Sequence, residues 1–157
     1  MGLSNELQIG KAGEHFVCYD LIIQGFNAFL ADQGLPFDVL VEKDGILKRI
    51  QVKTTTRIRD RRNKAQGKVY KYQTRRGRQS KSTIKPGETD YFAFVAMDIR
   101  EIAYIRTEDL TGTSGNIAQA IELKSRKVDD VTKILPSGKT KTFNWGKYFE
   151  DYSAFSF

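Results

Sequence analysis

Four polar residues occur in an order along the chain that could assemble a hydrolytic site. Asp38 begins a β-rich run, and Gln51 and Lys53 flank Val52 in the β-rich run that follows. Because side chains alternate along a strand, Gln51 and Lys53 share one face, and Asp38 can meet them if the two runs form a hairpin. Glu14 comes earlier, in a segment with helical spacing, and could add a second carboxylate.

These groups suit the hydrolysis of a phosphodiester. That reaction needs oxygen ligands that hold a hard cation such as Mg²⁺ beside the phosphate, and a group that orients or activates water. The carboxylates of Glu14 and Asp38, the side-chain oxygen of Gln51 and the main-chain carbonyl of Val52 could bind the cation, and Lys53 could act on the water. We therefore predict Glu14, Asp38, Gln51 and Lys53 as catalytic residues and Mg²⁺ as the cofactor.

A helix followed by a hairpin must bring these residues together. Apolar residues in 7–23 follow helical spacing, with Ser4 or Asn5 as the N-cap and Gly25 at the end. Residues 37–41 and 46–55 predict two antiparallel strands.

The rest of the chain predicts further strands and one helix. Residues 91–97 are apolar enough for a buried central strand, and 101–106 predict another strand. A helix is expected over 116–124, and a late hairpin over 128–145 with its turn at Pro136-Ser137-Gly138. We expect one mixed α/β domain over 1–157.

Composition excludes several classes of protein. The 157 residues have one cysteine, Cys18, and one histidine, His15, so an internal disulfide and a structural zinc cluster are excluded. No run of about 18 apolar residues could span a bilayer, and the N-terminus lacks a secretory pattern. The sequence therefore predicts a cytoplasmic protein that does not associate with membranes.

Positive charge is concentrated in one segment. The formal net charge is +7, yet residues 57–85 alone contain 12 Lys or Arg and one acid, Asp60. The remainder has 14 basic and 18 acidic residues. A mildly acidic body with one strongly basic element is what binding a polyanion along one face requires.

The basic segment also has the pattern of a β-ribbon. Residues 68–73 alternate as a strand, and 57–63 could form its partner, with a turn near 65–67. A two-stranded ribbon fits the major groove of DNA, where Arg, Gln and Thr read base edges while Lys and Arg contact phosphates. The side chains expected to contact double-stranded DNA are Arg57, Arg59, Arg61, Lys68, Tyr70, Lys71, Tyr72, Gln73, Arg75, Arg76 and Arg78.

The order of these residues resembles the PD-(D/E)XK nuclease superfamily. The matching features are Glu14 after Gly13, Asp38 in Pro36-Phe37-Asp38, and Gln51-Val52-Lys53. The resemblance implies a restriction-endonuclease-like α-β-β-β-α-β core, into which the basic ribbon of 57–85 would be inserted.

Gln51 departs from the usual pattern, which has Asp or Glu at this position. In that respect the chain is similar to the PD-(D/Q)XK homing endonucleases encoded in bacterial group I introns. This similarity implies site-specific double-strand cleavage by a homo-oligomer, a dimer or a tetramer. The aromatic tail of 143–157 could pack on its own domain or against a second subunit.

Three alternatives remain at this point. Holliday junction resolvases share the early Gly and Glu, the Asp and the Lys, but they would recognise branch shape and need little base readout. A restriction endonuclease would have the same fold. A non-catalytic nucleic-acid-binding protein would keep the basic ribbon without needing the metal ligands.

Overall fold

The structure, a computed structural model, describes residues 5–61, 68–76, 83–124 and 131–143. Helix α1 (Glu6–Ile23) begins at Asn5, whose side chain accepts a hydrogen bond from the Leu7 amide at 2.9 Å. It is followed by Gly25, whose φ of 91° places it in the left-handed region that glycine adopts readily. Both predicted ends of this helix are confirmed.

The strands and the second, one-turn helix follow in chain order. They are β1 (Asn27–Leu30), β2 (Val39–Lys43), β3 (Ile46–Thr55), β4 (Arg59–Asp60), β5 (Lys68–Gln73), β6 (Tyr91–Ala96), β7 (Glu101–Arg106), α2 (Thr107–Leu110), β8 (Ala120–Leu123), β9 (Val131–Ile134) and β10 (Thr140–Phe143).

Five strands form the central sheet, in the order β1-β2-β3-β6-β7. The first three pair antiparallel, β3 and β6 pair parallel, and β7 closes the sheet antiparallel to β6. Asp44 and Gly45 both have positive φ, 52° and 81°, which suits the tight turn between β2 and β3. The predicted hairpin and the fully buried strand β6 are confirmed.

Different elements pack on the two faces of this sheet. Helix α1 packs on one face, where Val17 and Leu21 join a buried cluster with Ile50 and Val52. On the other face, β5 and β8 contribute Tyr72 and Leu123 to a cluster with strand β6, among other residues. Because side chains alternate, Gln51 and Lys53 lie on the face opposite α1.

The prediction of a helix over 116–124 is wrong. Residues 120–123 form β8, which pairs antiparallel with β5, so that Tyr72 lies opposite Ile121. Ile121 and Leu123, two positions apart, both enter the core, as the period of a strand requires. An apolar run this short fits either period, and pairing with β5 decides between them.

The α-β-β-β-α-β order implied by the resemblance has a helix before its last strand, and the described residues between β3 and β6 contain no α-helix. They contain β4, β5 and a one-turn 3-10 helix (Pro86–Glu88) instead. The small β4-β5-β8 sheet covers the face on which such a helix would pack. The mixed α/β class and the restriction-endonuclease-like order of α1 and the central strands are nevertheless as expected.

The predicted ribbon and late hairpin are present. Strand β4 pairs with β5, with Arg59 opposite Val69, while the turn at 62–67 lies outside the described residues. Strands β9 and β10 pair antiparallel around Gly138, whose φ is 78°. Of the aromatic tail, 144–157 lie outside the described residues. No helix in the described part of the chain is long and apolar enough to cross a membrane.

Candidate active site

Asp38 is hydrogen-bonded to the strand that holds Gln51 and Val52. It lies just before β2, and its main-chain amide donates to the Ile50 carbonyl at 2.9 Å. Its Oδ2 accepts the Val52 amide at 2.7 Å and also a hydrogen bond from the side-chain amide of Gln51. The structure therefore brings Asp38, Gln51 and Val52 together, as the sequence predicts.

The carboxylate of Asp38 is poorly solvated. Burial raises the pKa of Asp38, the hydrogen bond from Val52 opposes this, and the nearby negative charge of Glu14 raises it further. The positive charges of Lys53 and Lys11 lower it. All four charged groups are thus electrostatically coupled, and the site favours a cation beside Asp38.

Lys53 is half-buried on the same face as Gln51. Its Nζ donates to the main-chain carbonyl of Arg75 at 2.7 Å. Burial lowers the pKa of Lys53, while the charge of Asp38 raises it and that of Arg76 lowers it. A lysine amine in this setting loses its proton more readily than an exposed one, as a group that acts on water requires.

Glu14, on α1, lies near enough to Asp38 for its charge to raise the pKa of that carboxyl. Its Oε2 forms an ion pair with Lys11 at 2.9 Å, and its side chain is 22% exposed. One residue earlier, Gly13 packs against Thr54 of β3 so closely that a Cβ would overlap the Thr54 hydroxyl. This close approach holds the Glu14 turn of α1 against the strand that carries Lys53.

The donor atoms of the site fit a hard divalent cation. Among the described residues, no three His, Cys, Asp or Glu side chains are grouped as metal ligands. The available donors are instead two carboxylates, the Gln51 amide oxygen and the Val52 carbonyl. Both hydrogen bonds to Asp38 fall on Oδ2, and no described residue donates to its Oδ1. Oxygen donors of this kind suit Mg²⁺.

Seven of the residues predicted to contact DNA are exposed on the basic segment: Arg57, Arg59, Lys68, Lys71, Gln73, Arg75 and Arg76. Among them, Arg57, Arg59, Lys68 and Lys71 form no ion pair with another described residue. They form an exposed basic surface that remains available to a polyanion.

Three other arginines have protein partners. Arg61 pairs with Glu122 at 2.6 Å and Arg76 pairs with Glu88 at 2.7 Å. The guanidinium of Arg75 donates to Gln119 at 2.6 Å. These side chains also stabilise the insertion, so their availability to DNA is reduced. Arg78 lies outside the described residues.

The two tyrosines of β5 are not available as DNA contacts. Tyr70 and Tyr72 are 2% and 3% exposed, and the ring of Tyr72 packs 5.0 Å from that of Phe94. Burial, with the charge of Asp98 next, raises the pKa of Tyr70 to about 12, and its hydroxyl donates to Asp98. The prediction that these two tyrosines contact DNA is therefore wrong. Both belong to the core that packs β5 against the central sheet.

Sequence reasoning missed two partners of the site. Lys11 lies three residues before Glu14 on a helix, so its ion pair could have been found from spacing. The Arg75 carbonyl that accepts from Lys53 is a main-chain atom 22 residues away, and no sequence pattern marks it.

A family model described as PD-(D/E)XK endonuclease matches residues 4–135. The chain therefore belongs to the PD-(D/E)XK endonuclease family, and it is a nuclease by class. The solved structure of a bacterial homing endonuclease, I-Ssp6803I, superposes with a TM-score of 0.62. That match covers 78% of this chain and 80% of the other at 15% identity, so it shows a shared fold. No curated protein matches this chain.

Proposed function

We propose that this chain is a site-specific DNA endonuclease that makes double-strand breaks, as a homing endonuclease encoded in a bacterial intron does. The observation that supports this most is the hydrogen-bonded cluster of Asp38, Gln51 and Val52 beside the half-buried Lys53. The exposed basic surface on the neighbouring segment of 57–85 would bind the phosphates of the DNA.

Each site residue has a proposed role. Asp38, Gln51, the Val52 carbonyl and Glu14 would hold Mg²⁺, which when bound supplies Lewis acidity and charge neutralisation at the scissile phosphate. Lys53, with its lowered pKa, would orient the attacking water and accept a proton from it. Lys11 would orient Glu14 through their ion pair.

The side chain of Gln51 can interact favourably with the site both with and without a bound cation. A carboxamide presents a donor or an acceptor at nearly the same position by rotation about its last bond. Facing the Asp38 carboxylate alone, it presents its N–H, as observed. Facing a cation, its carbonyl oxygen would be the favoured atom. The amide therefore supports binding of a cation without adding a third buried negative charge.

One feature favours a sequence-reading enzyme over a junction resolvase. Arg59, Lys71 and Gln73 are exposed side chains on paired strands, of the types that read base edges and contact phosphates. A double-strand break needs one site for each strand, so we propose a homo-oligomer, a dimer or a tetramer, acting on DNA in the bacterial cytoplasm.

The test is cleavage of plasmid DNA with Mg²⁺ by the wild-type protein, Asp38→Asn and Glu42→Gln. Glu42 is a matched control because it lies on the same face of β2 and binds Asn27 and Gly45. We expect linear product from the wild type and Glu42→Gln, and a loss of about 10²–10⁴-fold in Asp38→Asn. Tight binding without any cleavage would instead support a non-catalytic module.

A library of random target sites separates the subtypes. A homing or restriction enzyme would enrich a defined sequence among the cleaved molecules. Unselective cleavage, or preferential cleavage of four-way junctions, would contradict site-specific recognition.

A further inference from the structure

The amine of Lys53 is hydrogen-bonded to the basic segment of 57–85 and not to a strand of the central sheet. Its acceptor is the Arg75 carbonyl at 2.7 Å, two residues past the end of β5. A lysine amine on a flexible four-carbon stem needs a fixed acceptor to stay in one place. The placement of Lys53 therefore depends on the placement of the Arg75 main chain.

The residues that fix this carbonyl belong to the segment before β8. Thr74 is only 3% exposed; its hydroxyl donates to the Ala118 carbonyl at 2.6 Å and its amide to the Gln119 carbonyl at 3.1 Å. The Arg75 guanidinium donates to the Gln119 side chain at 2.6 Å. On the other side, Arg76 pairs with Glu88 at 2.7 Å. The residues on both sides of the Arg75 carbonyl are thus fixed, Thr74 by hydrogen bonds and Arg76 by an ion pair.

The buried Thr74 hydroxyl makes its hydrogen bond just outside the two paired strands. Strand β5 ends at Gln73 and β8 begins at Ala120, so the Thr74 bond to Ala118 lies beyond the last pair of that ladder, Gln73 with Ala120. Its clear consequence is the orientation of the next peptide, which presents the carbonyl to Lys53.

We propose that Thr74 is a positioning residue for cleavage, which acts through the Arg75 carbonyl to hold the Lys53 amine beside Asp38. This rests on the proposed function, in which Lys53 acts at the scissile phosphate. The side chains of Arg75 and Arg76 are engaged by Gln119 and Glu88, so they hold the segment in place next to Lys53.

The experiment compares Thr74→Val, Thr74→Ser and Thr89→Val with the wild type. Thr74→Val removes the hydroxyl at nearly constant volume, and Thr74→Ser restores it. Thr89 is the matched control, because it is 1% exposed and its hydroxyl also donates to main-chain carbonyls, those of Arg49 and Tyr91. Gln119→Ala, at an exposed position, is a second variant in case Thr74→Val fails to fold.

Single-turnover cleavage and DNA affinity are measured separately. We expect Thr74→Val to lower the cleavage rate on the order of tenfold to a hundredfold, as a misplaced catalytic group does, with the Kd for DNA unchanged. Gln119→Ala should lower the rate in the same direction, and Thr74→Ser should retain it. A loss of the same size in Thr89→Val, or equal rates for Thr74→Val and wild type, would overturn the proposal.

A second readout needs no activity. In the protein without DNA, modification of Lys53 by an amine-reactive reagent at one alkaline pH is followed by mass spectrometry, with exposed Lys71 as the internal reference. We expect slow modification of Lys53 in the wild type and in Thr74→Ser, and faster modification in Thr74→Val. An inactive wild type would defeat the proposed function, whereas unchanged modification of Lys53 in Thr74→Val would defeat the positioning role.

Discussion

Gly13 of α1 lies directly against Thr54 of β3, with no room for a methyl group between them. This contact sets how closely the helix approaches the strand, and Glu14 and Lys53 are the adjacent residues on the two elements. Gly13→Ala should lower the free energy of unfolding by about 1–3 kcal/mol, because the helix must shift to accommodate the added carbon. Cleavage should fall as well, since Glu14 moves with the helix.

Gly10 provides the matched control for this change. A Cβ at Gly10 would meet nothing within 4 Å, so Gly10→Ala should raise stability by about 0.5–1 kcal/mol through helix propensity alone. Urea unfolding of both variants makes the comparison. Equal effects of the two substitutions would show that the Gly13–Thr54 contact does not constrain the helix.

Replacing Gln51 with Glu should make stability depend on divalent cations. In the presence of a chelator, the variant loses the hydrogen bond to Asp38 and places two carboxylates side by side, so unfolding should become easier by about 1–3 kcal/mol. Mg²⁺ should restore more stability to this variant than to the wild type, because a third carboxylate strengthens cation binding. The measurement is thermal unfolding with and without Mg²⁺.

Gln73→Glu makes the same chemical change at an exposed position of β5. It should respond to Mg²⁺ no more than the wild type does. If Gln51→Glu behaves in the same way as Gln73→Glu, the proposed cation site is in the wrong place.

The lowered pKa of Lys53 predicts a pH-dependent gain in stability for Lys53→Met. The folded-state pKa is lowered by burial, so the unfolded chain binds this proton more tightly than the native protein does. The resulting penalty is full below the lowered pKa and disappears as pH rises to the ordinary lysine value. Lys53→Met should therefore be more stable than wild type at neutral pH, by a margin that shrinks towards alkaline pH.

Lys53→Met should lose cleavage activity although it gains stability. We expect Lys53→Met to lose about 10²–10⁴-fold in rate, and to lose the rise of rate with pH that titration of the amine gives the wild type. Chemical denaturation and single-turnover rates across a pH series measure both effects. A variant that is both less stable and fully active at neutral pH would contradict the role given to this lysine.

The exposed basic surface should contribute a salt-dependent part of DNA affinity. Lys71 on β5 is exposed and has no ion-pair partner among the described residues, so Lys71→Ala should weaken binding and reduce the salt slope by about 0.9 if it contacts one phosphate. Lys43, at the opposite end of β2 from Asp38, lies over the ring of Phe26. Lys43→Ala changes the net charge equally and should leave the salt slope as it is. Fluorescence anisotropy at several salt concentrations compares the two.

The sequence predicted the parts of the fold that have a clear period or a turn residue. Asn5 and Gly25 mark the ends of α1, and Asp44-Gly45 marks the hairpin that brings Asp38 opposite Gln51. The prediction for 120–123 is wrong because four residues with three apolar side chains fit a helix or a strand, and their pairing with β5 is a tertiary effect.

The candidate site was predictable to a similar degree. Asp38, Gln51 and Lys53 follow from strand alternation, since their placement needs only the hairpin. Tyr70 and Tyr72 were assigned to DNA because aromatic residues among cations suit either a nucleic acid or a core. Their alternation with Lys71 showed that β5 has two faces, but only the packed structure shows which face is covered.

Strand β5 has a further consequence for how such a nuclease could acquire a new target. Its side chains at 69, 70 and 72 are buried in the core, whereas Lys68, Lys71 and Gln73 are exposed. On the proposed function, target preference can change through single substitutions at these exposed positions while the buried ones keep the strand in place. The side chains that hold the fold and those that would face DNA are thus separate within one six-residue strand.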